Sequence, residues 1–134
     1  MSLAFDMASR AKWGGRAQAY AETFAGQCAH AISPMLDALD LQPGERLLDV
    51  GIAAAAVAVA ALVRGVRVTA ADPDADMLAL AAVAAPDAVL RQGALPDLDL
   101  GHGDFDAITA NFVLNHVGDP GASARRLGEL LRPG

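Results

Sequence analysis

From Arg46 onward the chain alternates short apolar runs with helix-favouring stretches, and no other feature constrains its fold as much. Arg46-Leu47-Leu48-Asp49-Val50 is a short apolar run closed by Gly51, the pattern of a strand buried on both faces. Ala53 to Arg64 is Ala-rich and free of breakers, which predicts a helix with Gly65 at its C-terminal cap. Val66 to Ala71 is β-branched and strand-like, and Asp72-Pro73 ends it. Asp74 to Ala84 reads as a helix opened by an Asp74 cap, Ala85-Pro86-Asp87 breaks it, and Ala88 to Arg91 is a third short strand. Phe105 to Val113 reads as a fourth, and Asp119-Pro120 opens a last helix running to Leu131, with Pro at its first position. Strands that alternate with helices pack as a parallel sheet with right-handed crossovers. The expected class is therefore α/β, a Rossmann-like parallel sheet of about four strands flanked by helices. Residues 1–42 read as an N-terminal helical segment, with Tyr20, Phe24 and Cys28 four apart on one face and a second stretch over Ile32 to Leu41. Residues 43–134 form the α/β core, and the whole is one domain.

Composition removes several function classes. The 134 residues carry a formal charge of −6, so no basic stripe exists to release counterions from a nucleic acid. The longest apolar run, Ile52 to Val63, falls short of the roughly 20 residues that span a bilayer, and no membrane contact is expected. The single Cys28 forms no internal disulfide, and no Cys/His cluster has metal-ligand spacing. The N-terminus shows no secretory pattern, so the expected compartment is the cytoplasm. Thirty-one residues are Ala, which leaves the core to Leu, Val and Ile.

In such a fold the first strand-to-helix turn selects the ligand. A strand ending in Asp49-Val50-Gly51 delivers the chain to a helix N-terminus, whose free N–H groups attract carboxylate or phosphate. An acid closing the second strand, about 20 residues on, can accept both hydroxyls of a ribose, and Asp72 lies 21 positions after Gly51. The chain as a whole resembles the class I S-adenosylmethionine-dependent methyltransferases. The resemblance is carried by Leu47-Leu48-Asp49-Val50-Gly51, by Val66-Arg67-Val68-Thr69-Ala70-Ala71-Asp72 and by Asp76-Met77-Leu78. Further on, Gly103-Asp104-Phe105-Asp106, Asn111-Phe112-Val113-Leu114-Asn115-His116-Val117 and Leu130-Leu131-Arg132-Pro133-Gly134 continue it.

The resemblance implies a cofactor, S-adenosylmethionine, and a role for each matching position. Asp49 would lie beneath the methionine end and Gly51 would begin the loop around it. Asp72 would bind the ribose hydroxyls, Pro73 and Met77 would flank the adenine, and Asn111 would lie near the methionine moiety. His116 would stand near the transferred methyl, as the base for an acidic acceptor. The implied acceptor is a small molecule.

Two departures bear on cofactor binding. Ala53 and Ala55 stand where the family's loop has glycines after Gly51. An alanine in a left-handed conformation costs roughly 1–2 kcal/mol, and its methyl competes with the ligand for space. Residues 53–56 could instead lengthen the helix backwards and close the site. The acid that usually follows the third strand is absent from Gln92-Gly93-Ala94-Leu95-Pro96. The family continues beyond Arg-Pro-Gly with further strands, which implies a truncated core, an exposed fourth-strand edge and a homodimer formed there. The opposed reading is a non-catalytic methyltransferase remnant acting through self-association. A nicotinamide dinucleotide site is a third, weakened by Ala56 at the last glycine-motif position.

Overall fold

The computed structural model describes residues 31–52, 55–101, 103–110 and 118–133. Expectations for residues 1–30, for Ala53, and for Asn111 and His116 lie outside them. Among the described residues, four helices and four strands follow one another as α1 (Ile32–Leu39), β1 (Arg46–Val50), α2 (Ala56–Val63), β2 (Arg67–Asp72), α3 (Ala75–Ala84), β3 (Val89–Gln92), β4 (Ala107–Thr109) and α4 (Pro120–Leu130). The sheet is ordered β3-β2-β1-β4, with every pair parallel. The expected α/β architecture is therefore present. Winding runs one way from β1 through β2 to β3 and the other way to β4, so the strand order reverses between β1 and β4, where open α/β sheets bind ligands.

The period-two alternation of strands divides the core between two faces. Leu47, Val68, Ala70 and Ala107 face one side, packed with Ile32, Leu36, Val57, Ala58, Ala61, Met77 and Ala81 from α1 to α3. Leu48, Val50 and Ala71 face the other, packed with Leu95, Leu98, Phe105 and Leu130. Small side chains let α2 lie close to the sheet, since Ala58 and Ala61 are completely buried. Asp74 caps α3 by accepting from Asp76 N at 2.9 Å, and Asp119 caps α4 by accepting from Ala122 N at 2.9 Å. Each satisfies one of the N–H groups that a helix start leaves open.

Two boundaries differ from expectation. Helix α2 begins at Ala56, not Ala53, because Ala55 adopts a left-handed conformation (φ 69°, ψ 17°) that a helix cannot include. The fourth strand spans only Ala107–Thr109 rather than starting at Phe105. Phe105 instead makes a parallel bridge to Leu131, which leaves α4 one residue shorter than expected. The loop between β3 and β4 is held to the sheet by buried Leu95 and Leu98. Arg126 of α4 fastens it further, donating to Leu98 O at 2.8 and 3.0 Å and to Gly101 O at 3.2 Å.

Candidate functional site

The carboxyl ends of β1, β2 and β4 bring three polar side chains onto one face of the sheet. Asp49 is paired in register with Thr109 of β4, so the two stand side by side on adjacent strands. Thr109 Oγ donates to Asp49 Oδ1 at 2.9 Å. Asp49 is 1% exposed, and its Oδ2 has no hydrogen-bond partner among the described residues. Burial pushes its carboxyl up to about 7, opposed by the Thr109 bond and reinforced by the negative charge of Asp72.

Asp72 closes β2 on the same face and is also buried. It is turned inward: Oδ2 accepts from Ile52 N at 3.1 Å and Oδ1 from Asp74 N at 2.8 Å. Burial raises its pKa, against the lowering effect of these two backbone bonds. Asp72 thus fastens the loop that leaves β1 to the end of β2 and orders the turn through Pro73. Each carboxylate oxygen keeps a lone pair for a further donor.

The loop itself is a left-handed corner. Gly51 has φ 71° and donates its N–H to Ala71 O at 2.9 Å, a conformation in which glycine escapes the Cβ clash. Ala55 adopts the same region without that freedom, and its N–H donates to Ile52 O. Its methyl is fully buried in the core cluster shared with Ile52 and Val57. At Ala55 the departure from glycine therefore fills core space, not the mouth above the strands. No side chain among the described residues caps α2.

The remaining sequence candidates are distributed around this corner. Pro73 is exposed, whereas Met77 is 6% exposed and packs in the core beneath α3. Gln92, in register with Asp72, donates from Nε2 to Pro73 O at 3.2 Å. Asp97, beyond the third strand, is exposed. Thr109 was not anticipated from the sequence; its one signal is a lone hydroxyl within an otherwise apolar strand.

Comparison with known proteins places this geometry in a family. Residues 48–134 match the methyltransferase domain family. A demethylmenaquinone methyltransferase of Mycolicibacterium vanbaalenii is 36% identical over 98 residues, 73% of this chain and 42% of that protein. A ubiquinone biosynthesis O-methyltransferase of Xanthomonas campestris is 33% identical over 114 residues, 78% of this chain and 48% of that protein. The chain thus spans less than half the length of these curated relatives. Among solved structures, an S-adenosylmethionine-dependent methyltransferase from Mesorhizobium loti superposes with a TM-score of 0.68 at 28% identity, covering 75% of this chain and 49% of that one. A methyltransferase of Haloferax volcanii, solved with a methyltransferase activator, gives a TM-score of 0.76 at 19% identity over 97% of this chain and 56% of that one. With its parallel Rossmann-like sheet and its matching strand-end motifs, the chain belongs to the class I S-adenosylmethionine-dependent methyltransferase family.

Proposed function

We propose that the protein binds S-adenosylmethionine above the carboxyl ends of β1 and β2 and directs its methyl group to a small-molecule acceptor. The observation that carries this reading is the pair of buried carboxylates, Asp49 and Asp72, flanking a loop that keeps its left-handed corner despite Ala55. The donor set fits the cofactor. Asp72 has spare acceptor capacity for two ribose hydroxyls, Asp49 Oδ2 has no partner among the described residues beneath the proposed methionine end, and exposed Pro73 would flank the adenine, with buried Met77 supporting that wall from the core. When bound, the cofactor supplies a methyl group on a positively charged sulfur. The protein's task is then mainly to align that methyl with the acceptor. Asn111 near the methionine end and His116 as acceptor base complete the proposal.

Curated relatives are named demethylmenaquinone methyltransferase and ubiquinone biosynthesis O-methyltransferase, which supports a small-molecule acceptor, as does a net charge of −6 that disfavours nucleic acid. No helix among the described residues is long and apolar enough to cross a membrane. A single cysteine supports a reducing compartment such as the cytoplasm. The outer edge of β4 supports pairing with a second copy, for which light scattering should return a dimer mass. The left-handed corner counts against the closed-loop, non-catalytic alternative.

Isothermal titration with S-adenosylhomocysteine tests the reading. Micromolar binding that is lost in Asp72→Ala, and weakened in the milder Asp72→Asn, is the expected result. No heat at millimolar ligand with the wild-type protein would overturn it.

A further inference from the structure

Asp49 is a buried acid with one oxygen bonded to Thr109 and the other without a partner among the described residues, and its surroundings decide its protonation. Among the described residues, no positive charge faces it. Helix α2 and strand β4, packed on its face or beside it, contain no ionisable side chain. Strand β2 offers Asp72, of the same sign, while Arg67 pairs in register with Arg46 at the far end of the sheet. Helix α3 contributes only exposed Asp76, and on α1 the exposed Asp37 is joined to Arg64. Among the described residues, an anion in this place has neither solvent nor a counter-charge. The Thr109 hydroxyl bonds Oδ1 and makes it the acceptor oxygen, which assigns the proton to Oδ2.

We infer that Asp49 is a neutral acid in the empty site and releases its proton from Oδ2 when the cationic methionine end of the cofactor arrives, with Thr109 as the positioning residue that fixes which oxygen is presented. This rests on the reading of the site as a cofactor site. In the step, the Oδ2–H bond breaks, its electron pair stays on Oδ2, and the proton passes to bulk water. The resulting carboxylate is balanced by the ligand's ammonium group. Uptake of cofactor is thereby tied to pH, and affinity increases as the medium removes the proton beforehand.

The test is calorimetric titration of the intact chain with S-adenosylhomocysteine in two buffers of different ionisation enthalpy, which counts protons released. Wild-type protein should release about one proton at about pH 6 and almost none at about pH 8. Over the acid range the affinity should rise about tenfold per pH unit until it levels near neutrality. Thr109→Val removes a bond that favours the anion, so release should persist to higher pH, and Thr109→Ser should restore the wild-type profile. A purely structural Thr109 would weaken binding equally at all pH values. Binding without proton release, or a Thr109→Val profile superimposed on wild type, overturns the inference. If Thr109→Val fails to fold, the wild-type proton count decides alone. No binding by wild type at any pH overturns the cofactor reading, and this inference with it.

Discussion

Replacing Asp49 by Asn should stabilise the fold above neutrality and leave it almost unchanged in acid. The carboxyl is held at about 7 in the folded chain, against an ordinary value of 3.8. The folded state therefore binds this proton more tightly than the unfolded state. The associated stability is fully present below the unfolded value and is lost as pH rises through the folded one. Complete ionisation then costs about 4 kcal/mol, at roughly 1.4 kcal/mol for each decade of proton affinity. Asparagine keeps an oxygen for the Thr109 hydroxyl and places an uncharged amide where the protonated Oδ2 stood, so its burial is the same at every pH. Urea unfolding of both proteins at about pH 4 and about pH 8 isolates the effect, because titrating groups not coupled to Asp49 cancel in the difference. Asp49→Asn should match wild type within about 1 kcal/mol in acid and exceed it by about 3–4 kcal/mol in base. Since small domains are stable by only about 5–15 kcal/mol, the change is easily resolved. Two stability curves that run parallel across the range would refute the buried neutral acid.

Further expectations concern the corner and the caps. Ala55→Gly relieves roughly 1–2 kcal/mol of left-handed strain, but it gives up about 0.8 kcal/mol of buried methyl and about 0.5–1 kcal/mol of chain entropy. The net change in chemical denaturation should lie within about 1 kcal/mol of zero, and a larger gain would show the methyl fighting its surroundings. Asp119→Ala removes the cap on α4 and should cost about 1 kcal/mol as a lowered Tm. An unchanged Tm would show that the bond to Ala122 is not made.

What the sequence made legible was decided within a few residues of itself. The apolar run Arg46–Val50 is β1 to the residue, and Asp74 and Asp119 cap the helices that follow them. Gly51 and Gly65 occupy left-handed positions that a Cβ would disfavour. What escaped depended on distance or on tertiary override. The Thr109–Asp49 bond joins residues 60 apart through a register that no local pattern encodes. Ala55 has the strongest helix preference of any residue type, yet the tie of Ile52 to Asp72 and the buried methyl hold it outside α2. The end of β4 was unreadable for a related reason, since an apolar run does not mark where its hydrogen-bonded neighbour stops. Nor does the local sequence show that Asp72 turns inward, where its oxygens accept from Ile52 N and Asp74 N and order the turn that follows.

Several departures from local preference gather at one place. A non-glycine residue in a left-handed conformation, a buried acid with an unpartnered oxygen and a second buried acid nearby all surround the exit from β1. Two others lie elsewhere: Asp40 is left-handed at the end of α1, and the buried Ser123 hydroxyl of α4 has no hydrogen-bond partner among the described residues. Such costs persist only where the surroundings over-determine the geometry, and they mark sites where a ligand completes what the protein leaves unbalanced. The alanine at position 55 fits this account. Its methyl points into the core with Ile52 and Val57, so substitution of glycine there removes freedom from the unfolded chain without taking room from the mouth of the site. The same strained corner therefore stands beside the buried Asp49, whose Oδ2 has no hydrogen-bond partner among the described residues.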